Sequence, residues 1–305
     1  MCKRLRIWPF VPLGSLLTST SLLAEGVITM TTSKAVGEKI DLSIEAKGNV
    51  TIEGVEKSAR TEGVAKDYTL TSQTITIRGD VTELNCLCNQ LTSLDVSKSA
   101  ALEVLFCSEN QLTNLDVSKN TALTELDCTS NQLTSLDVSK NTALTDLSCG
   151  WSQLTSLDVS KNIALTELSC DGNQLTSLDV SKNRALTTLS CGVNQLTSLD
   201  VSKNTALEEL YCTENQLTNL NIYRCARLEV LFCFSNCING EAMTKLVNSL
   251  PNRRGMYPGT LSIVSRFSKK NDKNRCNAAD VTTARKKNWE VRKYEPSGWV
   301  SYSGD

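Results

Sequence analysis

The sequence predicts a β-rich solenoid: a coil of about eight 21-residue repeats, opened by a small β region and closed by an α+β cap. Three observations predict it. First, N-Q-L-T-S-L-D-V-S-K begins at Asn89 and returns in close form at Asn110, Asn131, Ser152, Asn173, Asn194 and Asn215, with Asn236 in phase at the exit. A fixed period of this length marks a stacked array in which no unit can bury its own apolar face. Second, each unit reads L-x-x-L-x-C-x-x-N-Q-L-T-S-L-D-V-S-K-N-x-A. Its apolar residues alternate as in a short strand and stop at an Asn, whose amide can bond turn backbone. Third, all five prolines lie outside residues 13–250, so none removes a backbone donor from the array.

Taken from the N-terminus, residues 1–24 read as an export signal. MCKRLR is a basic start, an apolar to small-residue run follows, and Ala24 is a candidate last residue before cleavage, although Pro9 and Pro12 interrupt the run. The run is too short and broken for a membrane span, so no transmembrane segment is expected in the mature chain. Residues 25–69 alternate apolar and polar in KIDLSIEA and NVTIEGV and read as a β-strand cap. In the stretch that follows, Leu70, Ile75 and Val81 fall in phase with Leu91, Val96 and Leu102, so the N-terminal part is expected to supply half a coil over the open end. The solenoid occupies 70–239 and the α+β cap 240–305. There, Asn239 is expected to cap a helix running through Leu250, LSIVS (261–265) to form a strand, 278–288 a second helix, and EVRKY and GWVSYSG the closing strands.

Each half of the unit carries the same grammar, so every coil brings two extended segments past the core. Identical residues then stack about 4.8 Å apart, and eight coils give a rod of about 40 Å. The inward column Cys86, Cys107, Cys128, Cys149, Cys170, Cys191, Cys212 and Cys233 reads as buried free thiols. The stacking distance exceeds the Cβ separation of a disulfide, and burial, which raises thiol pKa, opposes the competing reading of a metal-binding thiolate ladder. Off the column lie Cys88, Cys225, Cys237 and Cys276, of which Cys225 and Cys237 are the candidate pair. The carboxylates of Asp95, Asp116, Asp137, Asp158, Asp179 and Asp200 stack as well. Their repulsion calls for an offset, either from the Lys three residues on or from turn N–H groups. A calcium ladder is the sharper alternative, but the G-G-x-G-x-D grammar is absent.

The pattern L-x-x-L-x-C-x-x-N-x-L-x-x-L-D-V-S-x-N resembles a leucine-rich repeat coil of the short nested type called IRREKO, most similar to the secreted, internalin-like repeat proteins of Bacteroidetes-type bacteria. The resemblance covers about Leu70 to Asn239 and extends to the tail, where CNAADVTTARKKNWEVRKYEPSGWVSYSG is similar to that family's C-terminal cap. It implies a surface or secreted interaction module and fixes no ligand.

The informative positions are those that vary between coils. Flanking the inward Leu of each first strand, they describe an acidic sheet with aromatics toward its ends, and the candidate contact residues are Phe106, Glu125, Asp127, Asp146, Glu167, Asp171, Glu209 and Tyr211. Exposed aromatics on a rigid face are common contact residues, whereas Phe232 and Phe234 are expected to pack under the cap. Trp151 joins the candidates as either an anchor at the rim or drift in a tolerant turn. Beside it, Ser152 replaces an Asn and should supply only part of the amide's bonding.

Composition narrows the function. The chain contains no His, and neither a nucleophile–base pair nor a phosphate-binding glycine loop is evident, so the reading is non-catalytic with no cofactor and no metal. Charge is segregated: residues 25–250 carry 17 Lys/Arg against 28 Asp/Glu, whereas 251–293 carry 12 against 3. An acidic face repels phosphate, which argues against nucleic acid. The expected partner is a protein or glycoprotein surface, with carbohydrate or matrix binding as the alternative. Self-association of the acidic body with the basic C-terminal region is a further reading.

Overall fold

A computed structural model describes residues 26–56, 66–265, 272–295 and 297–304. The proposed export segment therefore lies outside the described residues. The chain begins with β1 (Val27–Thr32), β2 (Lys39–Ala46), β3 (Thr51–Glu53), β4 (Lys66–Thr69) and β5 (Thr74–Arg78). The array follows with β6 (Val81–Asn85), β7 (Leu91–Asp95), β8 (Val104–Phe106), β9 (Glu125–Asp127), β10 (Asp146–Ser148), β11 (Glu167–Ser169), β12 (Thr188–Ser190), β13 (Ser198–Asp200), β14 (Glu209–Tyr211), β15 (Asn219–Asn221) and β16 (Val230–Phe232). It closes with α1 (Gly240–Ser249), β17 (Gly259–Ser265), α2 (Ala278–Lys286), β18 (Trp289–Glu295) and β19 (Gly298–Ser301).

One long sheet runs β19-β18-β17-β16-β14-β12-β11-β10-β9-β8-β6-β2-β4. From β6 to β16 its neighbours are parallel and in the register of the repeat, Glu125 beside Asp146 beside Glu167. The second-half segments pair as strands only at the two ends, in β13-β15 and in β3-β5-β1-β7. Both halves feed one core, with Leu126, Cys128, Leu133 and Val138 of a single coil each 0–2% exposed. The eight ladder cysteines are all buried and free, as the spacing argument required.

Two amide ladders hold the coils in register. In the first, the Asn131 side-chain oxygen accepts from Leu112 N at 3.0 Å, and its amide donates to Cys107 O at 3.1 Å and Cys128 O at 3.0 Å. The pattern recurs at Asn110, Asn173, Asn194, Asn215 and Asn236. In the second, Asn120, Asn141, Asn162, Asn183 and Asn204 donate to the Val and the ladder residue of the preceding coil, as Asn141 does to Val117 O and Asn120 O. Cys225 takes the next rung, its thiol donating to Val201 O at 3.3 Å. This overturns the expected Cys225–Cys237 pairing: both thiols are free, and Cys225 is buried where an Asn would stand.

Ser152 falls further short than expected. Its hydroxyl is buried and without a partner among the described residues, so it supplies none of the three bonds an amide makes. The Asp column is offset by backbone. Each carboxylate accepts from the N–H two residues on, from Asp95 to Ser97 through Asp200 to Ser202, at 2.8–2.9 Å. At Asp116, Asp137, Asp158 and Asp179 this bond is the main cause that holds the carboxyl below its ordinary pKa, and the following Lys adds less.

The N-terminal cap differs from the in-phase half coil. β1 inserts antiparallel between β5 and β7, and β2 pairs antiparallel with β6. Leu70, Ile75 and Val81 are buried as expected, but β5 reaches the first coil only through β1. An antiparallel lid covers both open strand edges of the first coil. Asn89 hooks the first ladder to it, its side chain bonding both the N–H and the carbonyl of Asp41.

At the other end the predicted helices and strands form. Asn239 precedes α1 without capping it, its amide turning back to Cys237 O instead. Asn277 does cap α2, in a capping box with Asp280. Asn274 completes the first ladder. It accepts from Ile238 N and donates to Cys233 O and Ile263 O, so the cap continues the coil's own bonding.

Candidate binding face

The outward face of the long sheet follows from the three-residue strands. In each, the central Leu turns into the core and its two neighbours face out, so the period stacks like with like. Glu83, Val104, Glu125, Asp146, Glu167, Thr188, Glu209 and Val230 form one outward column. Asn85, Phe106, Asp127, Ser148, Ser169, Ser190, Tyr211 and Phe232 form the next.

Two groups emerge among the candidate residues. Glu125, Asp146 and Glu167 occupy three consecutive rungs, with Asp127 and Asp171 alongside. Among the described residues none of these five carboxylates has an ion-pair partner. Some of their oxygens are engaged locally. Asp127 accepts from Thr129 N at 2.9 Å, Asp146 from the Thr145 hydroxyl at 2.9 Å, and Asp171 from Gly192 N at 2.6 Å and the Ser169 hydroxyl at 3.1 Å. Partial burial, and then the charges of neighbouring carboxylates, raise the Glu125 pKa. The same two causes raise Glu167 and Glu83. Among the described residues the stripe is a band of like charge with no neutralising partner.

The second group lies at the C-terminal end. Tyr211 donates to Glu209 at 2.7 Å and meets Phe232 edge-on at 5.3 Å between ring centroids. Burial, followed by that carboxylate, pushes the Tyr211 phenol up to about 12, so it stays neutral. Phe232 and Phe234 pack under the cap as expected, on the ring of Trp299 at 5.1 and 5.8 Å. Trp299 also packs on Tyr294, its cross-strand partner, and remains 40% exposed. Sequence reasoning missed Trp299 and Tyr294 as neighbours of this face, because the antiparallel β18–β19 pair brings them there from far along the chain. Phe106 stands alone toward the other end, between Asn85 and Asp127.

Trp151 sits at the rim with φ +52°. It belongs to a column of left-handed residues, Cys88, Glu109, Ser130, Trp151, Gly172, Val193, Glu214 and Ser235, that turn the chain after each strand. Its ring lies on Gly172, where an added Cβ would come within 2.6 Å of it. The sequence assigned this side chain no packing duty. In the structure one face rests on the next coil, and the residue is still 57% exposed.

Fold and face together define a leucine-rich-repeat solenoid with an acidic sheet face, capped at both ends. The functional domain of InlJ from Listeria monocytogenes, described as including a cysteine ladder, is similar to it. Identity is 32%, coverage 72% of this chain and 50% of that one, and the TM-score 0.52. The chain thus spans half the length of that structure. YopM from Yersinia enterocolitica is similar at 26% identity, covering 60% of this chain and 38% of its own, with TM-score 0.49. YopM from Yersinia pestis gives 20%, 64% and 61%, with TM-score 0.47. No protein-family model matches the chain, and no curated protein does. Among the described residues no helix is long and apolar enough to cross a membrane.

Proposed function

We propose that this is a non-catalytic, exported binding module of the internalin-like kind, which holds a basic segment of a partner protein along its strand face. The observation that carries the reading is the stripe Glu125–Asp146–Glu167, three stacked carboxylates without ion-pair partners among the described residues, on a rigid sheet. Charge complementarity names the partner's chemistry: lysines or arginines spaced along an extended chain or a helix face. Tyr211 and Phe106 bracket the stripe and offer rings for apolar or cation–π contact. Trp151 adds a rim anchor already braced by Gly172. Likeness to the InlJ domain supports an interaction role and a cell-surface or secreted setting.

The test is binding of the folded chain to arrays of basic, acidic and neutral peptides, alongside a glycan array. Selective capture of basic peptides, lost in a Glu125→Lys/Glu167→Lys double variant and reduced about tenfold by Phe106→Ala with Tyr211→Ala, supports the reading. Because the Glu125 and Glu167 pKa values are raised, binding should begin to weaken as pH falls through a window just above the ordinary Glu range. Binding that ignores the charge reversal, or that appears only on glycans, overturns it. Salt-sensitive dimerisation without peptide capture would instead assign the face to the basic cap of a second copy.

A further inference from the structure

Cys237 breaks a column. The position that follows the ladder residue is Gln in seven consecutive coils (Gln90, Gln111, Gln132, Gln153, Gln174, Gln195 and Gln216), and Cys237 is the eighth. All seven glutamines are exposed, so this is an outward position. Among the described residues it is the one free cysteine that is not buried. The cap segment 272–275 runs beside it, with Lys273 N donating to Asn236 O and Arg275 N to Ile238 O. Between this segment and the preceding coil opens a cleft of about 610 Å³, lined by Cys237, Lys273, Thr197, Thr218 and Asn215 among others. Ser235 lines it too; it is 3% exposed, and its hydroxyl has no partner among the described residues.

We propose that this cleft is a modification site, in which Cys237 forms a mixed disulfide with a small disulfide that carries a carboxylate. The Cys237 thiol loses its proton to solvent, and the thiolate attacks one sulfur of the reagent. The new Cys237–S–S bond forms as the reagent's own S–S bond breaks. The other half leaves with the electron pair of the broken bond as a thiolate and takes up a proton, so the Cys237 sulfur is oxidised to the same extent as the departing sulfur is reduced. Lys273 sits where it can pair with the carboxylate of the retained half, while Thr197, Thr218 and Ser235 offer hydroxyl groups. The ladder thiols do not compete, because they are buried.

The experiment is incubation of the folded full-length chain with oxidised glutathione, followed by intact mass and peptide mapping. Hydroxyethyl disulfide serves as an uncharged probe. The expected result is an adduct at Cys237 and none on the ladder thiols, absent in Cys237→Ser. With glutathione disulfide, Lys273→Ala should slow it several-fold, and the uncharged probe should show no such dependence. The Cys237→Gln variant, which restores the residue of the other coils, should fold with an unchanged melting temperature. Adducts on the ladder thiols, no adduct at Cys237, the same Lys273 dependence for both probes, or a disulfide-linked dimer in place of the adduct would each overturn the assignment.

Discussion

At the scale of single residues, the left-handed column shows how one exception supports another. Seven of its eight members carry a side chain at φ between +52° and +59°, a conformation that costs of order 1 kcal/mol or more for each. Only residue 172 is Gly, and it lies under the ring of Trp151. Large and absent side chains are therefore complementary neighbours, one coil apart. Gly172→Ala should destabilise by about 1–3 kcal/mol, from the ring clash together with the backbone cost. In a Trp151→Ala background the clash is gone and only the backbone cost remains. A urea-unfolding cycle should therefore show a coupling of about 1 kcal/mol between the two sites, and additivity would show that the ring does not rest on Gly172. Trp151 was legible as an outlier in the sequence, but its duty was not. The residue it rests on is 21 positions away, and six different residue types hide the common turn.

At the scale of the element, the coil was legible because its determinants are local and repeated. Period, inward leucines and the Asn turns follow from residues within one unit. The caps were legible as strands and helices but less so as topology. Residues 70–78 carry the repeat's phase, yet β1 displaces them from the first coil, because an antiparallel pairing can seal an edge that a further parallel coil would only move outward. The face was legible as alternating outward columns, while its Trp299 neighbour was not, since cross-strand pairing in the cap has no signature in the period. Six of the coils also carry a pH-dependent turn. The six Asp carboxylates have folded pKa values below the ordinary one, so their stabilisation is present above the unfolded value of about 4 and is lost as pH falls through the folded values. Asn221 shows that an amide can serve in the same place, accepting from Tyr223 N at 3.1 Å. Replacing all six Asp by Asn should therefore keep the fold at neutral pH and flatten the fall in melting temperature below about pH 4. An unchanged acid transition would place the acid sensitivity in other groups.

At the scale of the whole molecule, stability is a chain of interfaces between neighbouring coils, and the weakest of them sets how the rod fails. The first amide ladder runs from Asp41 in the N-terminal lid to Asn274 in the C-terminal cap, so caps and coils share one bonding system. It is interrupted at one rung. An Asn at 152 would accept from Leu133 N and donate to Cys128 O and Cys149 O, just as Asn173 accepts from Leu154 N and donates to Cys149 O and Cys170 O. Ser152 makes none of these bonds. At about 1 kcal/mol for each bond, the junction between the third and fourth coils is weaker than its neighbours by about 2–3 kcal/mol. Nearest-neighbour coupling converts that deficit into a fault line, along which the lid with its first coils can open separately from the rest. Hydrogen exchange should be fastest, among ladder-protected amides, at Leu133, and Ser152→Asn should slow it while raising the denaturant midpoint. The same substitution should sharpen a broad or two-step unfolding curve into a single transition. Exchange at Leu133 as slow as at Leu112 and Leu154, together with an unchanged midpoint in Ser152→Asn, would mean that the coils couple through their stacked cores rather than through the ladder.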